Sequence, residues 1–174
     1  MRAIRAFVVV AAASLSVLVS AQNLLNPISA ACGNSPVSMA VKLDDSQHTI
    51  QKPEMGKALI YFIQDAGQGA IIAYPTTKIG IDGKWVGANK KDSYFAVAVE
   101  PGEHHLCAAI QSSFATGAPE FAHLTAQAGQ VHYFRTRIFF AEKISEYFSL
   151  VPADSDEGRY LIESFPLAKA HARR

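Results

Sequence analysis

The sequence predicts an all-β fold, an antiparallel β-sandwich of immunoglobulin-like or related type, with one short C-terminal α-helix. Three observations predict it. From Val37 onward, segments rich in β-branched and aromatic residues recur at short intervals between turn residues, the spacing of a sandwich or small barrel. No helix-length period follows each of them, as alternating βαβ units would require. A 3.6-residue apolar period stands near the C-terminus, at Gly158, Leu161, Ile162 and Phe165.

The elements follow in order. Residues 1–21 have the three parts of a secretory signal peptide: Arg2 and Arg5, an apolar run from Ala6 to Val19, and the small-residue exit Val19-Ser20-Ala21. The run is shorter than the ~20 residues that span a bilayer, so no transmembrane span is expected in the mature chain. Exits after Ala30 or Ala31 also fit. Residues 22–36 are expected as an extended segment, 37–168 as a single β-sandwich domain, and 169–174 as a basic tail. The predicted address is the periplasm or the exterior, with association to the cell envelope. A lipid-modified Cys32 competes with this reading, but Ser29 stands where such a signal carries a large apolar residue.

Composition agrees with export. The chain has 174 residues, 49% hydrophobic and 18% charged, with a formal net charge of +1. That excludes a disordered chain, a multi-span membrane protein and a strongly basic nucleic-acid binder. The average conceals two parts: 16 of the first 21 residues are apolar, and residues 22–168 carry a net charge of −4. Cys32 and Cys107 are the two cysteines, and an exported pair is expected to bridge. No CxxC pair points to redox chemistry.

Strands are expected at 37–43, 58–63, 70–74, 77–81, 84–88, 93–99, 104–110, 121–127, 130–140 and 145–151, with loops at 64–69 and 111–119. Asp82-Gly83 suits a type I′ hairpin that sets Gly80 opposite Trp85 and Ile79 opposite Val86. There the indole would cover the glycine backbone; the functional alternative is a stacking platform for a sugar or peptide. Pro101-Gly102 suits a type II turn that pairs Val97 with Leu106 and Phe95 with Ala108, and sets Cys107 beside Ala96. A third hairpin at Ala128-Gly129 would put His123, His132, Phe121 and Phe134 on one face and Tyr133, Arg135 and Arg137 on the other. Asp154 and Glu157 form a capping box that opens the helix, and Pro166 stops it.

At these hairpins, Gly56-Lys57-Ala58-Leu59-Ile60-Tyr61-Phe62, Ile81-Asp82-Gly83-Lys84, Ser93-Tyr94-Phe95 and Pro101-Gly102-Glu103-His104 resemble the family catalogued as domain of unknown function 2846. The resemblance covers roughly Gly56 to Phe148. It implies a bacterial exported or envelope protein with a β-sandwich, often lipid-anchored, and it supplies no catalytic residues. This chain lacks a convincing lipid-attachment signal.

Motifs for chemistry are sparse. The six histidines show no HExxH or comparable spacing, so no metal is expected. No GxSxG elbow, phosphate loop or cofactor fingerprint occurs. The candidate ligand-binding residues are Trp85 and the alternate row Tyr133, Arg135 and Arg137, an aromatic ring with two forked donors suited to carboxylates, phosphates or acidic glycans. The expected function is a non-catalytic binding or structural module of the envelope, with an envelope protein or glycan as partner and no nucleic acid. The alternative is a small periplasmic hydrolase whose site assembles in space. A deep pocket with converging titratable groups would mark the hydrolase, and a flat or grooved aromatic face the binding module.

Overall fold

The computed structural model describes residues 30–33, 35–66, 74–111, 118–140 and 146–173. The leader, most of the expected strand 70–74 and parts of both expected loops lie outside these residues. Ten strands run in chain order: β1 (Met39–Asp44), β2 (Ala58–Asp65), β3 (Thr76–Ile81), β4 (Lys84–Lys90), β5 (Ser93–Val99), β6 (Gly102–Gln111), β7 (Glu120–Ala126), β8 (Val131–Phe140), β9 (Glu146–Ala153) and β10 (Leu167–Ala172). Helix α1 (Ser155–Ser164) lies between β9 and β10.

The strands form a six-stranded sheet, β1-β10-β5-β2-β8-β9, and a four-stranded sheet, β4-β3-β6-β7. Packed face to face they make the expected sandwich. The larger sheet is mixed rather than purely antiparallel, because β2 runs parallel to β8 and β10 parallel to β5.

β2 explains the larger sheet. Its apolar run has no polar alternation, as a strand buried on both faces requires. Ala58, Ile60 and Phe62 point into the core between the sheets, with Ile79, Leu106, Leu124 and Phe134. Leu59, Tyr61 and Ile63 point the other way, where Leu161 and Ile162 of α1 cover them. Tyr61 stacks on Tyr133 there, with ring centroids 5.5 Å apart. The stripe expected on α1 docks as the sequence predicts, and Gly158 makes it possible: a Cβ there would fall 2.4 Å from the Tyr133 ring.

The capping box is only half formed. The Asp154 carboxylate accepts from the backbone N–H of Asp156 and Glu157, but the Glu157 carboxylate accepts from Arg135 of β8.

Two of the three expected hairpins are not hairpins. Asp82-Gly83 is one: both residues have positive φ, 49° and 77°, as a type I′ turn needs. Gly80 lies opposite Trp85 as predicted, but a bulge shifts the register beyond it, so Ile79 faces Gly87 instead of Val86. Pro101-Gly102 instead carries the chain from β5 in one sheet to β6 in the other. Val97 and Phe95 therefore meet Leu106 and Ala108 across the core, not along one sheet. Ala128-Gly129 likewise carries β7 to β8 in the opposite sheet. Alternation cannot separate the two arrangements, because a residue aimed at the core is apolar from either layer.

The expected basic tail is also a strand. β10 pairs with β1 along its whole length, from Met39 with Ala172 to Asp44 with Leu167, so the folded domain continues past residue 168. Ala168 faces the core, while Lys169 on the outer side pairs with Asp44 at 2.6 Å. The charge of this segment sits on alternate residues, where a half-solvated strand tolerates it.

Candidate functional site

The candidate ligand-binding row Tyr133, Arg135 and Arg137 does not form an open platform. Tyr133, Arg135 and Arg137 do share the outer face of the larger sheet, but Tyr133 is 6% exposed, packed against Tyr61 under α1. Arg135 donates to Asp65 of β2 and to Glu157 of α1. Its guanidinium is held below its ordinary value, first by burial and then by neighbouring Arg137. The forked donors thus tie two strands to the helix. Arg137 lies 3.9 Å from the same Asp65 carboxylate.

Trp85 also serves the fold. Its ring lies where a Cβ on Gly33 would fall 2.2 Å away, and its Nε1–H donates to the Ser35 carbonyl at 3.1 Å. The Lys78 ammonium stands over the ring at 4.2 Å. The indole therefore clamps the N-terminal segment. It is the backbone of that segment, rather than the indole, that covers Gly80: a Cβ there would fall 2.7 Å from the Ala31 carbonyl oxygen.

Cys32 and Cys107 stand at disulfide distance, with Cα atoms 5.2 Å apart, and are 2% and 0% exposed. They pack with Ala31 and Trp85 on the outer face of the smaller sheet. Cys107 lies beside Gly80, which gives the space for this, and Ala96, expected next to Cys107, lies on the larger sheet beneath α1.

The histidines do not converge. His105 and His123 are cross-strand partners on the outer face of the smaller sheet, with ring centroids 5.2 Å apart. His104 turns the other way and meets Asp82 at 2.7 Å and the Glu100 carbonyl at 2.8 Å. His132, on the larger sheet, joins neither pair. Among the described residues no group of three or more His, Cys, Asp or Glu side chains could hold a metal ion.

One concave site is present that the sequence does not suggest. The edge strand of the smaller sheet, β7, stands across from the edge strand of the larger, β9, and a cleft of about 500 Å³ opens between them. Phe121 and Leu124 line it from β7, Val131, His132 and Phe134 from β8, and Leu150, Pro152 and Ala153 from β9, with Ser155 at the start of α1. Leu124, Phe134 and Leu150 belong to the central core and stay buried, so the cleft lies against the edge of that core. Phe121, 39% exposed, marks the rim.

Within this wall the His132 Nε2 is buried and makes no hydrogen bond among the described residues. Burial pushes its imidazole below the ordinary histidine value, because charge is disfavoured next to apolar side chains. The local sequence signal for the site is slight: Phe121 is a large apolar residue on the outward period of an edge strand.

Searches of curated proteins and of solved structures returned no match. No helix among the described residues is long and apolar enough to cross a membrane. The model of the family described as protein of unknown function (DUF2846) matches residues 54–147, from the turn before β2 into β9, more than half of the chain. The chain belongs to that family.

Proposed function

We propose that this protein is an exported, non-catalytic binding module of the cell envelope, and that the cleft between β7 and β9 takes an apolar ligand. The observation that carries the reading is the cleft itself: about 500 Å³ of concave space with an aromatic and aliphatic lining, open at the side of the core. Ligand sites are commonly of this volume and character. Its lining is mostly aliphatic and aromatic, with His123, His132, Tyr133 and Ser155 as the polar side chains, the character of a binding cleft. Export is supported by the leader-like residues 1–21 and by the cysteine pair at disulfide distance.

The test uses the environment-sensitive dye N-phenyl-1-naphthylamine. The protein should raise dye emission saturably, and Phe121→Asp should weaken the affinity about tenfold, the effect of losing one half-buried ring. Because Phe121 is at the rim, the variant should keep the wild-type circular dichroism. No saturable response from the wild-type protein would remove the cleft as a binding site. Cell fractionation that leaves the protein in the cytoplasm would remove export.

A further inference from the structure

We infer that His105, His123 and Glu103 form a zinc site on the outer face of the smaller sheet, with water in the fourth position. His123 also borders the cleft, but the site does not depend on what the cleft holds. Strand register, ring spacing and the absence of a structural task for the two rings support it.

His105 and His123 lie directly opposite each other on β6 and β7. The backbone of His105 is turned the other way, to Asp82 at the end of β3. Its N–H donates to the Asp82 carboxylate at 2.9 Å, and its C=O accepts from the Asp82 N–H at 3.0 Å. Toward β7 the pair is therefore of the non-hydrogen-bonded kind, in which cross-strand side chains stand closest. The same two bonds fix His105 in place.

The ring centroids are 5.2 Å apart. With a Zn–N bond of about 2.1 Å and about 1.1 Å more to the ring centre, two imidazoles on one tetrahedral zinc ion have centroids about 5.2 Å apart. On a square-planar ion the spacing would be about 4.5 Å, so the geometry favours zinc over copper. Rotation of a ring about its Cβ–Cγ bond hardly moves its centroid. The nitrogens can thus turn to a common point without any shift of the strands.

Neither ring serves the fold. His104 commits both ring nitrogens to Asp82 and Glu100. Among the described residues the rings of His105 and His123 make no hydrogen bond, and Glu103 is their one ionic partner. His105 is exposed and the His123 side chain is 50% exposed, so zinc from solvent reaches both. Imidazoles set opposite each other repel when protonated, so stability alone does not select the pair.

Glu103 shares this face, two residues before His105 on β6. As the side chains stand no group of three is formed, because the Glu103 carboxylate is 4.0 Å from the His123 Nε2. Two ligands of one zinc ion are about 3.4 Å apart, and the Glu103 side chain, 75% exposed, is free to rotate over the difference. Two imidazoles and one carboxylate with an open position are an established zinc ligand set.

The experiment titrates zinc chloride into the full mature protein at neutral pH in a non-coordinating buffer, read by calorimetry and by the nitrogen NMR shifts of the histidine rings. One ion per chain is expected, bound in the micromolar range, with the His105 and His123 rings shifting together. His105→Gln and His123→Gln should each weaken binding at least tenfold, and Glu103→Gln about tenfold. The three positions are exposed, so these variants should melt with wild type. A control carrying His48→Gln and His171→Gln should bind zinc as wild type does. Retained affinity in His105→Gln or His123→Gln, or lost affinity in the folded control, would overturn the site. Unchanged affinity in Glu103→Gln would remove it as the third ligand. Neither heat nor ring shifts with the wild-type protein would end the inference and leave the reading of the cleft untouched.

Discussion

Replacing both Cys32 and Cys107 by alanine isolates what the N-terminal segment contributes to the fold. The two cysteines are 75 residues apart in sequence, and closing a loop of that length in the unfolded chain amounts to about 4.5 kcal/mol at 25 °C. For a domain of this size 1 kcal/mol moves the melting midpoint by about 3–4 °C, so the variant should melt about 15 °C lower. The same change should loosen Ala31–Gly33 on the smaller sheet, which among the described residues is otherwise held by the Gly83 N–H to the Ala31 carbonyl at 3.3 Å and by the contact with Trp85. Trp85 is the single tryptophan of the chain, so its fluorescence reports this segment directly. Thermal unfolding is followed by circular dichroism and by tryptophan emission, for oxidised wild type, wild type with reductant, and the double variant. The expected result is a common midpoint for the last two, with emission shifted to the red before the β signal is lost. Equal midpoints with and without reductant, in protein whose mass shows the bridge to be cleaved, would refute the reasoning. Unmoved emission would refute the clamp.

Two further outcomes are expected. Arg135→Met should destabilise the domain by about 1–3 kcal/mol, because it removes the cation that Asp65, whose side chain is 15% exposed, shares with Glu157 and leaves Asp65 with the more distant Arg137 at 3.9 Å; a denaturant midpoint equal to wild type would contradict this. Burial lowers the His104 imidazole, but the Asp82 carboxylate and the Glu100 carbonyl outweigh it and hold it above 6.5. Its contribution is therefore complete below pH 6.5 and lost as pH rises through the raised value. The effect is about 1 kcal/mol, since Asp82 is 46% exposed and screened. His104→Leu should flatten the stability profile on that side of neutrality in pH-jump denaturation, and a profile parallel to wild type would refute the pairing.

Local structure is legible in this sequence wherever the signal is itself local. Asp82-Gly83 demands positive φ at two successive residues, and the chain supplies them. Ala58–Ile63 has no polar alternation, and it becomes the strand buried on both faces. The stripe on α1 is visible because Leu161 and Ile162 are large. β10 is obscured for the opposite reason: its inward residue Ala168 is small and its outward residue Lys169 is charged, so the segment has the composition of a solvated tail. Arg135 is legible as the neighbour of Tyr133 on one face, but Asp65, 70 positions away, and Glu157 on the helix decide its role. No spacing rule brings those three together.

The cleft and the two misassigned turns have one cause. A hairpin at Ala128-Gly129 would lay β7 along β8, pairing their edges and leaving no gap between them. The chain instead crosses from one sheet to the other at that glycine, which sets Phe121 and Leu124 across from Leu150 and Pro152 along the cleft. Both sides of the sandwich end in sheet edges that touch across the core, β4 against β1 and β10 on one side and β7 against β9 on the other. Gly87 lets Phe95 fill the first side: a Cβ on Gly87 would fall 2.5 Å from that ring. On the second, β7 carries an exposed phenylalanine at its start and alanines at its inward positions 122 and 126, so the concavity lies at the rim, beside a core whose Leu124, Phe134 and Leu150 stay buried.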